Sequence, residues 1–231
     1  MTVGPFELRT PAQRAEAAAV FRRAFVEVIP SRLEAGEVFT SRRFLASSIR
    51  MIYGAFGSAA DARWYGVSEG GPLVSTALVT NAAAGLTWRS YLALLRFGVE
   101  FVLMLGWGGM RQLLREVKTW PPRQGRSVAA AFSPRPRFQE LQLIATCPKM
   151  QGRGHGEVLL AFLKADAAAR GYLGLSLTAM GKTPAHGWYL RHGFVSEVEF
   201  EILDVVVCRM TLGLNPGNPG AEVPPPAHPE G

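Results

Sequence analysis

Between an apolar run that ends at Thr146 and a leucine- and alanine-rich stretch that follows Gly154 stands Gln151-Gly152-Arg153-Gly154-His155-Gly156. Glycines at this spacing, in a loop that passes from strand to helix, let backbone N–H groups approach an oxyanion closely. The positive end of the following helix adds to the attraction. The chemistry expected here is the holding of a phosphate. Two other phosphate loops are excluded by single positions. A dinucleotide fingerprint needs a third glycine where Glu157 stands, and Gly181-Lys182-Thr183, which has the tail of a P-loop, has Ser176 where the earlier glycine belongs.

The loop resembles the Gln/Arg-x-x-Gly-x-Gly/Ala segment of the GNAT superfamily of acyl-CoA-dependent N-acyltransferases, which follows that family's fourth strand. Gln151, Gly154 and Gly156 fill its defined positions, and Pro148 stands three residues ahead of the glutamine. A second stretch, Trp188-Tyr189-Leu190-Arg191-His192-Gly193-Phe194, resembles the family's Tyr-x-x-x-Gly-Phe signature after strand five. Ala185 is in its usual place, while Lys182 replaces the asparagine that commonly begins the segment.

The resemblance implies that Gln151, Gly152, Arg153, Gly154, His155 and Gly156 hold the pyrophosphate of acetyl-CoA. It also implies that Ile144, Ala145 and Thr146 line the pantetheine arm through backbone groups, and that Tyr189 protonates the departing thiolate. A phenol, with an ordinary pKa of about 10, can donate to a strongly basic leaving group. Glu140 lies at the offset before Gln151 where some relatives carry a general-base glutamate. Strand alternation puts Glu140, Gln142, Ile144 and Thr146 on one face, with the carboxylate turned toward the reaction centre. A carboxylate with its pKa raised by burial could take the acceptor's proton, directly or through water. The competing reading of Glu140 is a solvated strand-end residue. His186 is a further candidate base, read first as an ordinary surface histidine; His155 reads as an exposed loop side chain.

The elements that must position these residues follow from pattern. Phe6–Arg9 reads as a short strand, and Thr10-Pro11 caps a helix expected to reach about Phe25. Further helix is expected over Ser31–Phe56. A hairpin is expected from Ala62–Ser68 and Leu73–Thr80, joined by Glu69-Gly70-Gly71-Pro72. Within Thr87–Lys118, Trp88, Leu92, Leu95, Val99 and Val102 mark one helical face and Arg89, Arg96 and Glu100 another, with a break at Gly106, Gly108 and Gly109. A span needs about twenty residues nearly free of charge, so no membrane crossing is expected here, and the first reading is a buried helix pair, ahead of an acceptor-site lid and a membrane-surface helix. Trp120–Pro136 reads as a proline- and arginine-rich loop. The remainder reads as strand Phe138–Thr146, helix Gly154–Arg170 stopped by Gly171, strand Leu173–Thr178, helix Pro184–Arg191, and strands near Val195–Ile202 and Val205–Leu212.

The 231 residues, 48% hydrophobic and 19% charged, suffice for one good core. The net charge of +7 suits an anionic cofactor, a membrane surface or nucleic acid. The absence of a long basic run or zinc-type cysteine spacing argues against a nucleic-acid module. Cys147 and Cys208 read as reduced thiols, no metal is expected, and nothing at MTVGPFELRT directs secretion, which points to the cytoplasm. The expected architecture is α/β of the GNAT type: a mixed, mostly antiparallel central sheet flanked by helices, in one domain over residues 1–214. A helical insertion over about 82–136 precedes strand four, and residues 215–231 read as a disordered Pro/Gly-rich tail. The expected activity is acetyl transfer from acetyl-CoA to a primary amine, on a small molecule or on a protein, with room for a homodimer. The rival is a module of the same fold that senses acyl-CoA without turning it over.

Overall fold

The computed structural model describes residues 2–27, 42–57, 61–81, 87–119, 122–133, 135–202 and 205–214. The early part of the expected second helix and the proline-rich tail lie outside these residues. Seven strands form one sheet: β1 (Thr2–Glu7), β2 (Arg63–Glu69), β3 (Leu73–Asn81), β4 (Phe138–Thr146), β5 (Gly174–Met180), β6 (Val195–Ile202) and β7 (Val205–Gly213). Their order is β1-β2-β3-β4-β5-β7-β6, and every neighbouring pair is antiparallel except β4 with β5. The helices are α1 (Pro11–Arg22), α2 (Arg42–Ala55), α3 (Trp88–Thr119), α4 (Pro122–Phe132), α5 (His155–Ala169) and α6 (Pro184–Arg191).

The parallel pair requires a crossover, and α5 supplies it. Its Leu159, Leu160, Leu163 and Ala167 recur at helical spacing and are buried against Tyr65, Val67, Ala77, Val79, Leu175 and Leu177 on one face of the sheet. The other face is covered by α1, whose Ala17, Val20 and Phe21 pack with Trp64, Leu78 and Ala145. Because β2 and β3 are covered on both sides, they are buried almost throughout. A capping box starts α1: Thr10 Oγ1 accepts from the Gln13 N–H at 3.2 Å and Gln13 Oε1 accepts from the Thr10 N–H at 3.0 Å.

Three expectations are corrected by the fold. The stretch after Trp120 contains α4, because proline is tolerated in a first helical turn and Ser127–Ala131 carries good helix formers. The first strand begins earlier than expected, at Thr2, and pairs with β2. The α3 helix kinks at Gly106 (φ 62°, ψ −176°), as its glycines suggest, yet it is not buried. Its Phe97 and Phe101 rings face Phe44 of α2 at 5.9 Å, and Ser90 Oγ donates to the Ala55 carbonyl at 2.5 Å. The face bearing Trp88, Leu92, Leu95 and Val99 points outward. Periodicity marks two faces of a helix; it does not say which one turns inward. Ser47, Arg96 and Arg50 all bind Glu100 and hold its carboxyl down at about 2.

Candidate active site

Ladder pairing between β4 and β5 covers only Phe138–Glu140 with Gly174–Ser176. Beyond that point β4 runs on with β3, β5 runs on with β7, and the two strands part. The β5-facing backbone edge of residues 141–146 is therefore free of ladder partners among the described residues. An extended chain could hydrogen-bond along it.

At the mouth of this gap the two sequence signatures meet. Gly152 (φ 75°) and Gly154 (φ 82°) both occupy the left-handed region that side chains disfavour, and a Cβ at either would point into open space. Gly154 is the N-cap of α5 and has no side chain to satisfy the first-turn N–H groups, so these donors face outward. A Cβ on Gly156 would lie 3.5 Å from Cζ2 of Trp188 and 3.6 Å from Oγ1 of Thr146. Thus the end of β4, the first turn of α5 and α6 converge. Gln151 Nε2 donates to the Thr146 carbonyl at 3.2 Å, tying the loop to the strand it follows. Trp188 Nε1 donates to Glu157 Oε1 at 3.1 Å, and this bond lowers the Glu157 pKa.

Thr183 caps α6, its Oγ1 accepting from the His186 N–H at 3.2 Å, while Lys182 takes a left-handed conformation (φ 59°) where asparagine is common in the family. Tyr189 follows on α6, its ring edge-on to Trp188 (5.2 Å) and Phe194 (5.4 Å). Burial pushes its phenol above the usual tyrosine range, so it stays protonated through neutral pH and presents a proton donor.

Two residues behave differently from the sequence expectation. A register shift between Leu78 and Val79, opposite residues 141–143, breaks the alternation of β4. Leu141 and Ile144 consequently share the α5 face, while Leu143 and Ala145 face α1. Glu140 is thereby separated from Ile144 and Thr146. Its Oε1 and Oε2 accept from Arg209 Nη1 and Nη2 at 2.6 and 2.7 Å, and Oε2 also accepts from Ser176 Oγ at 2.6 Å. Its carboxylate is buried and paired rather than solvated. His155 is buried rather than exposed, with Nε2 2.8 Å from Glu69 Oε2, so only its backbone N–H can face the loop.

Sequence reasoning missed Arg209 and Glu69. The signal for Arg209 was present: a lone charge inside the apolar run Val205–Leu212 has to find a buried partner. His186 lies 3.3 Å from Ser196 Oγ and forms a donor group with Glu199 and Cys208, their ligand atoms lying within 4.8 Å of one another. Burial, followed by Glu199, pushes the Cys208 thiol up to about 11, so this group carries a thiol rather than a thiolate at neutral pH.

The acetyltransferase (GNAT) domain family model matches residues 112–196. Among solved structures, the chain is similar to an assigned GNAT-family acetyltransferase from Desulfovibrio desulfuricans, with TM-score 0.50 and 14% identity over 93% of this chain and 99% of that one. It is also similar to the ribosomal-protein-S18-alanine N-acetyltransferase from Escherichia coli, with TM-score 0.49 and 15% identity over 93% and 94% of the two chains. A third is the PaiA N-acetyltransferase from Thermoplasma acidophilum in complex with coenzyme A, with TM-score 0.49 and 11% identity over 91% and 99%. No curated protein matches the sequence. The family match thus lies over β4, the glycine loop, α5, β5 and α6, the segments that form the mouth of the gap.

Proposed function

We propose that the chain transfers an acetyl group from acetyl-CoA directly to a primary amine, both held together in one ternary complex. The observation that carries this reading is the convergence of Thr146, Gly156 and Trp188 at the mouth of the β4–β5 gap. The residues present suit the co-substrate. First-turn N–H groups of α5 and the glycines of Gln151–Gly156 would hold its pyrophosphate, and the free edge at Ile144, Ala145 and Thr146 would hold its pantetheine. Acetyl-CoA would supply the activated acetyl thioester. Tyr189 would hold its proton ready for the thiolate, one residue beyond the tryptophan that touches the loop.

Glu140 takes a positioning role in this reading. Its carboxylate binds Arg209 of β7 and Ser176 of β5 at the last paired position before β4 and β5 part, and so sets where the gap opens. The acceptor is proposed as a small-molecule amine ahead of a protein amino group.

Acetyl-CoA should bind in the micromolar to submillimolar range and raise the Tm by mass action; at about a hundred times Kd the stabilisation is about 2.7 kcal/mol. Calorimetry and a thermal melt measure both, and no heat and no Tm shift at millimolar acetyl-CoA would refute the reading. Binding without thiol release across an amine panel would instead identify a sensing module. Gly154→Val should weaken acetyl-CoA binding by at least about tenfold, because it forces a β-branched residue into a left-handed position and blocks close backbone approach. Unchanged affinity in a folded variant would place the phosphate elsewhere.

A further inference from the structure

From the outer face of α3 we infer that this protein docks on the surface of an anionic lipid bilayer, with α3 lying in the interfacial plane. Trp88–Arg115 is long and apolar enough to cross a membrane, with a mean hydropathy of 1.5 in its apolar window, and no residue of that window is buried within the fold. Trp88, Leu92, Leu95, Val99 and Leu103 follow one another at spacings of three and four, and their side chains are more than half exposed; Trp88 reaches 67% and Leu95 66%. Trp107, just past the Gly106 kink, is 85% exposed. A continuous exposed apolar strip of this length is far more than the scattered hydrophobes of an ordinary surface.

The charges around the strip select the occupant. The helix carries Arg89, Arg96, Arg111, Arg115 and Lys118 against Glu100 and Glu116. At about 100° per residue, Arg89 and Arg96 fall on one rim of the strip, beside Leu103, where an in-plane helix meets phosphate groups; Arg96 also pairs with Glu100 at 2.9 Å while most of its side chain stays exposed. Arg111, Arg115 and Lys118 are exposed on the segment after the kink. Tryptophans near both ends of an apolar face suit the headgroup boundary, and the whole chain carries +7.

An in-plane pose fits better than a crossing one because the inner face of α3 is already occupied. Phe97 and Phe101 pack on Phe44, and Ser47 and Arg50 bind Glu100. A spanning helix would have to abandon these contacts to α2. The inference does not depend on the acetyl-transfer reading.

The test is flotation of the full chain with vesicles of phosphatidylcholine, alone or with about one-third phosphatidylglycerol. Binding to the anionic vesicles should exceed binding to the neutral ones by at least about tenfold and should fall at high salt. The double variant Leu95→Glu/Val99→Glu should lose most of the binding. Both positions are exposed, so a circular-dichroism melt close to wild type shows that the fold survives; if that variant misfolds, Arg111→Glu/Arg115→Glu provides the independent check and should reduce anionic binding alone. Alkaline carbonate should release the protein. Failure to float, equal binding to neutral and anionic vesicles, or carbonate-resistant insertion would each overturn the inference. So would a concentration-dependent dimer that the same Leu95 and Val99 changes abolish and that does not float.

Discussion

Replacing Tyr189 by phenylalanine should lower turnover by about a hundredfold while changing acetyl-CoA affinity by less than about fivefold. The asymmetry follows from when the proton matters. Charge on the departing sulfur exists only as the carbon–sulfur bond breaks, so a donor to it stabilises the transition state far more than the bound ground state. The ring itself is held by Trp188 and Phe194, contacts that phenylalanine keeps, so the fold should be little affected. Burial raises the phenol pKa, and the protonated form therefore persists as pH rises. Turnover of the wild-type protein should accordingly show no loss from Tyr189 ionisation up to about pH 10. Thiol release with a competent amine, followed by calorimetry of both proteins, checks each part. Equal turnover in the two proteins would reduce Tyr189 to a packing residue.

Removing the carboxylate of Glu140 should act mainly on stability. Glu140→Ala leaves the Arg209 guanidinium buried among Ser176, Thr178 and the sheet with no counter-charge, a change that costs about 3–5 kcal/mol. For a domain of this size that corresponds to a Tm lower by roughly 10 °C. Combining Glu140→Gln with Arg209→Met should recover part of the loss, since removing both charges also removes the desolvation they carry. Kinetics separate this role from that of a base. A positioning carboxylate predicts that Glu140→Gln loses stability, and that any loss of turnover is the same at every pH at which the protein is folded. A general base predicts intact stability and a deficit that shrinks as pH rises and more of the acceptor amine arrives already deprotonated. The second pattern would return Glu140 to the chemistry.

The comparison between sequence and structure divides along physical lines. The α6 boundaries, the α5 helix with its glycine stop and the β6–β7 pair were readable because their signals are local: a cap, a period, a turn residue. Thr183 illustrates how local chemistry compensates for a departure from the pattern the segment resembles, capping α6 while Lys182 takes the strained position. What was not readable depended on partners distant along the chain. The register shift that turns Glu140 away from Ile144 is set by pairing with β3, across more than sixty residues. The Glu140–Arg209 and His155–Glu69 contacts likewise join separate elements. The inward face of α3 was not readable because it carries Glu100 beside Phe97 and Phe101, and the α2 partners of all three lie about fifty residues away along the chain.

The short seam between β4 and β5 bears on what holds the sheet together. Among the described residues three ladder pairs stitch the first four strands to the last three, and α5 lies across the join. The halves are therefore held in register less by backbone pairing than by α5, whose buried leucines touch residues of both, and by the Glu140–Arg209 pair. Helices α3 and α4 lie between β3 and β4, within the first half. The loop, α5 and α6 all follow them. The sheet is thus jointed, with α3 and α4 hung on one side of the joint and α5, which spans it, acting as the pin.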